Sequence, residues 1–129
     1  MKYQCELIDI IDFYREYPEE IGSLDVDTRF GFKQIQFADV TAENSDVWLL
    51  ELEDNSFIEG SPQHRVMTTN GWKHLKTLDI QSDQVLTRNG FKSIRNLELL
   101  SFTEDLYDLQ VADVHEYYSN DIVSHNSLL

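Results

Sequence analysis

A chain of 129 residues with 10 Lys+Arg against 24 Asp+Glu carries a formal charge of −14, which opposes binding to the phosphates of nucleic acid and to an anionic membrane surface. That length suits one compact domain with its own core, and 41% hydrophobic with 12% aromatic residues is too much apolar surface for wholesale disorder. The single cysteine, Cys5, excludes an internal disulfide. No Cys-x-x-Cys pair is present to hold zinc, so a reducing cytoplasm is the expected compartment. The opening MKYQCELIDI has neither the basic start nor the apolar run of a signal peptide, and nowhere do roughly 18 apolar residues run together, so no membrane partner is expected.

In chain order, Leu7, Ile8, Ile10, Ile11, Phe13, Tyr14 and Tyr17 recur at helical spacing until Pro18 and Gly22 break the pattern, which predicts a helix over residues 6–17. From Leu24 onward, short β-branched and aromatic runs separated by turn residues predict an all-β domain. The expected strands are 24–30, 32–40, 47–53, 57–58, 64–69, 84–88, 91–95, 106–111, 116–119 and 122–124. Asn70-Gly71 and Asn89-Gly90 suit tight hairpin turns, since Asn and Gly tolerate positive φ. His74 to Asp79 is expected to form a helical turn. No repeat, low-complexity tract or linker suggests a second domain.

The chain ends Val123-Ser124-His125-Asn126-Ser127-Leu128-Leu129. An asparagine side-chain nitrogen can attack its own backbone carbonyl, close a five-membered imide and break the bond to the next residue. The reaction needs the carbonyl polarised and the leaving amine protonated, tasks that suit imidazoles titrating near neutrality. His125 adjoins Asn126, and His115 lies upstream across the turn-prone Ser119-Asn120-Asp121. A hairpin there would fold His115 back over the bond between Asn126 and Ser127.

The block LYDLQVADVHEYYSNDIVSHN resembles the C-terminal signature of inteins, the protein-splicing domains of the Hint superfamily, which end in His-Asn before Ser, Thr or Cys. Asp108, His115, His125, Asn126 and Ser127 fall at its functional positions. Gly60-Ser61-Pro62-Gln63-His64 is similar to the family's Thr-x-x-His motif, with Ser61 standing where Thr is usual and keeping the hydroxyl. Gly71-Trp72-Lys73 and Asp83-Gln84-Val85-Leu86 resemble its connecting strands, so the likeness spans residue 24 to the end.

The family's opening, a nucleophilic Cys or Ser soon followed by a Gly-Asp-Thr-like run, is not matched. Cys5, followed by Glu6-Leu7-Ile8-Asp9, is read as a small apolar residue near a helix start. The resemblance therefore implies the larger C-terminal piece of an atypically split intein, residues 1–126, with 127–129 beginning the flanking host segment, the extein. Its fold would be a horseshoe-like Hint β fold with one short N-terminal helix, lacking a strand that a short N-terminal fragment supplies along with the first nucleophile.

The resemblance further implies that His64 and Ser61 serve the first acyl shift, Asp108 activates Ser127 for transesterification, and His115 and His125 assist cyclisation of Asn126. No cofactor or metal is implied, and each molecule reacts once, so it is not a turnover enzyme. His74 is assigned a structural role, Asp113 a turn, and Trp72, Tyr117 and Tyr118 packing. The acidic excess reads as a solvated surface, with attraction of a basic N-terminal fragment as a further expectation. The competing readings are a domain that only cleaves at its C-terminal end, a Hint-like module that binds peptide without splicing, and a generic acidic interaction domain.

Overall fold

The structure, a computed structural model, describes residues 7–125. Helix α1 (Leu7–Glu16) is followed by nine strands: β1 (Asp25–Thr28), β2 (Gly31–Leu52), β3 (Phe57–Gly60), β4 (Arg65–Thr68), β5 (Gly71–His74), β6 (Gln84–Thr87), β7 (Gly90–Val111), β8 (Glu116–Ser119) and β9 (Ile122–His125). The expected helix, the all-β remainder and the helical turn, here a 3-10 turn at Leu75–Thr77, are present.

Two expectations are corrected. The separate strands at 32–40 and 47–53 are one strand, β2, and those at 91–95 and 106–111 are one strand, β7, each of 22 residues. They pair antiparallel along their length, interrupted by five register irregularities. A ladder of that size would reach about 70 Å if straight; bulges bend a strand and increase its twist, which lets this ribbon curve so that each end joins a different core.

One core gathers Leu50, Leu52, Ile58, Val66, Leu75, Val85, Ile94 and Ile122. At the other end α1 lays Ile10 and Tyr14 against Ile35, Leu109, Val111 and Tyr117. The path across the sheet runs β1-β2-β7-β6-β4-β9-β8, with β3 on β2 and β5 on β4.

Three hairpins share one turn chemistry. Thr28, Thr68 and Thr87 each accept a bond from the backbone N–H two residues on and donate to the carbonyl of the glycine three residues on, over 2.7 to 3.1 Å. Those glycines, Gly31, Gly71 and Gly90, have φ between 91° and 97°. The Asn-Gly pairs thus mark hairpins as expected, but the central residues are Thr69-Asn70 and Arg88-Asn89. The first hairpin, without Asn-Gly, is revealed by Thr28-x-x-Gly31.

Candidate active site

The expected site residues converge from three segments. After β3 the chain turns sharply through Ser61 to His64, whose N–H donates to the Ser61 carbonyl at 3.1 Å. The His64 carbonyl accepts from Leu75 N–H at 2.8 Å and that of Pro62 from Lys76 N–H at 3.2 Å, so the 3-10 turn clamps this corner. Gly60 is required here: a Cβ at that position would lie 2.9 Å from Leu75 Cδ1 and 3.1 Å from His64 Cβ.

Burial pushes the His64 imidazole below its ordinary value. Asp108 pulls it back up, while His125 and Arg65 push it further down. The four groups therefore share one electrostatic environment, with His64 held neutral at neutral pH.

Asp108 stands on β7, 1% exposed. Its Oδ1 accepts from the Tyr117 hydroxyl at 2.6 Å and from the Leu109 N–H at 2.7 Å. The Tyr117 phenol is raised well above the ordinary tyrosine value by burial and by the Asp108 carboxylate, so it remains a donor. Reading Tyr117 as a packing residue is thus incomplete, because its ring is core and its hydroxyl is the carboxylate's partner. The aromatic pair Tyr117-Tyr118 marks β8 as a strand that packs a core; nothing in the sequence points from Tyr117 to Asp108.

The β8–β9 hairpin turns at Asn120 and Asp121, both at positive φ (46° and 64°), and pairs Glu116 with His125. His115, one residue before β8, consequently stacks on the His125 ring, with centroids 6.1 Å apart and planes 13° apart. The expected hairpin is thus present; the bond between Asn126 and Ser127, over which His115 was expected to fold, lies outside the described residues. Trp72 of β5 meets the His125 ring edge-on at 5.0 Å and 88°, and Arg65 Nη2 lies 3.2 Å from His125 Nδ1. Trp72, read as packing, and Arg65, not singled out, are thus neighbours of the site. Asp113 takes its expected turn conformation at φ 67°.

Two arginines frame the site. Arg29, in the β1–β2 turn, donates through Nε and Nη2 to both oxygens of Glu116 at 2.6 Å each. Arg88 bridges Asp27 and Asp121 at 2.5 and 2.9 Å and covers the Tyr118 ring at 4.0 Å. Beside them opens a groove of about 1260 Å³ whose walls include Ser61, His64, Asp108 and Tyr117, with Ile10, Val26, Ile35 and Ile58 as apolar lining. Its carboxylates are Asp9, Asp25, Asp27, Glu59, Glu104, Asp105, Asp108 and Asp121; Arg88 is its cation. Among the described residues β3 pairs with β2 alone and β8 with β9 alone, and both line the groove.

Asn126, Ser127 and Cys5 lie outside the described residues, so the expectations resting on them are untouched by the geometry. No group of three or more His, Cys, Asp or Glu among the described residues is placed to hold a metal, and no described helix is long and apolar enough to cross a membrane.

The architecture is that of the inteins, the Hint fold. The chain superposes on the DnaB intein from Synechocystis sp. PCC 6803 with a TM-score of 0.81 and 21% identity, covering 98% of this chain and 89% of that one. For the VidaL intein the TM-score is 0.83 at 19% identity, over 100% and 86% of the two chains, and for the gp41-1 intein 0.69 at 24%, over 83% and 86%. No protein-family model and no curated protein matches the sequence.

Proposed function

We propose that this chain is the larger, C-terminal portion of a split protein-splicing domain that works in trans with a short N-terminal fragment. The observation that carries the reading is the convergence of Ser61, His64, Asp108, His115 and His125 on one corner, with β9 ending at His125, the residue before Asn126. The acidic groove supports the fragment's seat: it is flanked by β3 and β8 and leads to His64, so an extended peptide could add to them as a strand.

The fragment's first residue attacks its preceding carbonyl, forming an ester or thioester as the peptide C–N bond breaks. His64 is positioned to pass a proton to the departing nitrogen, with Ser61 bonding to the strained amide. The Ser127 hydroxyl then attacks that ester or thioester, with Asp108 as acceptor of its hydrogen bond; the bond to the fragment's first residue breaks, that side chain leaves with the proton as a hydroxyl or thiol, and the upstream segment is held on Ser127 as a branched ester. Asn126 Nδ2 attacks its own carbonyl, the bond to the Ser127 nitrogen breaks, that nitrogen gains a proton, and a succinimide remains. His115 and His125 polarise the carbonyl and move the proton. An oxygen-to-nitrogen shift restores a peptide bond before Ser127. Proximity supplies much of the rate, and each chain reacts once.

The test is mass spectrometry of the chain carrying a reporter after Leu129, alone and with synthetic N-terminal segments of the three neighbouring inteins. Release of a product joining the added flank to Ser127 and the reporter, free of residues 1–126, is the expected result; with Asn126→Ala the reaction should stop at the branched ester. Release of the reporter without ligation would favour C-terminal cleavage only. Unchanged masses throughout would favour the peptide-binding module.

A further inference from the structure

His125 is gripped from three directions, by the edge contact of Trp72, the stacked ring of His115 and the guanidinium of Arg65. The register explains the grip. β4 pairs antiparallel with β9 at Val66↔Ser124, so one step along each strand sets Arg65 beside His125. Met67, two residues from Arg65 and on the same face, is paired with Trp72.

The contact has a chemical direction. A guanidinium carries only donors and keeps its proton throughout the range where proteins fold. A ring nitrogen 3.2 Å from Arg65 Nη2 must therefore be the acceptor, which leaves the ring proton on Nε2. The other candidate to set the ring's protonation is Glu116, paired with His125 across β8–β9, but both its oxygens are engaged by Arg29. Among the described residues, His115 is stacked on the ring and His64 shares its electrostatic environment.

We propose that Arg65 is a positioning residue for His125, holding Nδ1 as acceptor and Nε2 as the protonated nitrogen, so that His125 works as a hydrogen-bond donor through Nε2. The proposal rests on the splicing reading. Arg65 also joins the two ends of the reaction, since it is chain neighbour to His64 and spatial neighbour to His125.

The test pairs a spectroscopic signature with a rate. Nitrogen NMR of histidine-labelled chain carrying Asn126→Ala should show unprotonated Nδ1 and protonated Nε2 at His125. Arg65→Gln should mix the tautomers, and Arg65→Lys should restore part of the signature. With Asn126 intact and an N-terminal fragment added, Arg65→Gln should slow cleavage after Asn126 about tenfold to a hundredfold, the scale seen at metal sites when the partner that orients a histidine is lost, with thermal unfolding as the check on folding. If Arg65→Gln does not fold, the lysine variant decides: unaltered tautomer and rate in either folded variant overturn the proposal, as does a protonated Nδ1 in the parent chain. A parent chain that never cleaves at Asn126 even with an N-terminal fragment added overturns the splicing reading instead, and the tautomer measurement still judges the Arg65 contact.

Discussion

Replacing Tyr117 with phenylalanine isolates one bond at the centre of the site. The ring is 3% exposed and Asp108 1% exposed, so phenylalanine retains the apolar contacts with Ile35, Leu109 and Val111 and removes only the hydroxyl. What is lost is a 2.6 Å donation to a buried carboxylate oxygen; the Leu109 N–H at 2.7 Å remains. Bonds to charged groups contribute about 1.5–3 kcal/mol, and the under-solvated acceptor left behind adds a desolvation cost. The expected loss is therefore about 2 kcal/mol, or roughly 8 °C in Tm for a domain of this size. Urea unfolding at pH 7 measures it. A cycle with Asp108→Asn separates the bond from general damage: in that background the phenylalanine should cost less by about 1 kcal/mol or more. A loss below about 0.5 kcal/mol, or equal losses in both backgrounds, would refute the claim that Tyr117 acts through Asp108.

Three further outcomes follow from the geometry. Because the His64 value is lowered in the folded chain, the unfolded chain binds the proton more readily between that value and about 6.5. Stability should be complete above that pH and fall below it, and His64→Gln should flatten the slope by up to about 1.4 kcal/mol per pH unit in urea titrations between pH 7.5 and 5.5; an unchanged slope counts against the neutral, buried imidazole. The lowered carboxylates Glu51, Asp54, Asp79 and Asp83 act only at more acid pH. Gly60→Ala should cost about 1–3 kcal/mol, since the new Cβ must displace buried Leu75 or the His64 stem, and should shift the His64 ring resonances; wild-type stability and spectra would show the corner to be looser than described. Arg29→Ala strands the nearly buried Glu116 carboxylate, for about 2 kcal/mol after allowing for the pair's partial exposure. Adding Glu116→Gln should return part of that loss, and an additive double variant would exclude the pairing.

The local rules served the chain well wherever one face of an element meets a core. Helix α1 was legible because Ile10 and Tyr14 repeat at helical spacing and are buried. Strands β8 and β9 were legible because short aromatic and β-branched runs flank the Asn120-Asp121 turn. The same rule was silent on residues 41–46, which are largely polar and lie on a two-stranded ribbon outside both cores. Without a buried face there is no alternation to read, and their strand conformation comes from cross-chain pairing between β2 and β7.

The chemistry of Asn126 singled out His115 and His125, and the resemblance to the intein motifs singled out Ser61, His64 and Asp108. The turn-prone Ser119-Asn120-Asp121 foretold the hairpin that joins β8 to β9. Which partners these side chains meet was decided elsewhere. Tyr117 reaches Asp108, Arg65 reaches His125 and Arg29 reaches Glu116 through contacts separated by 9, 60 and 87 positions. Such pairs are set by strand register and by the curvature of the ribbon, which are properties of the whole sheet; no window of sequence holds them, because each strand's neighbour is chosen by the burial of all the others.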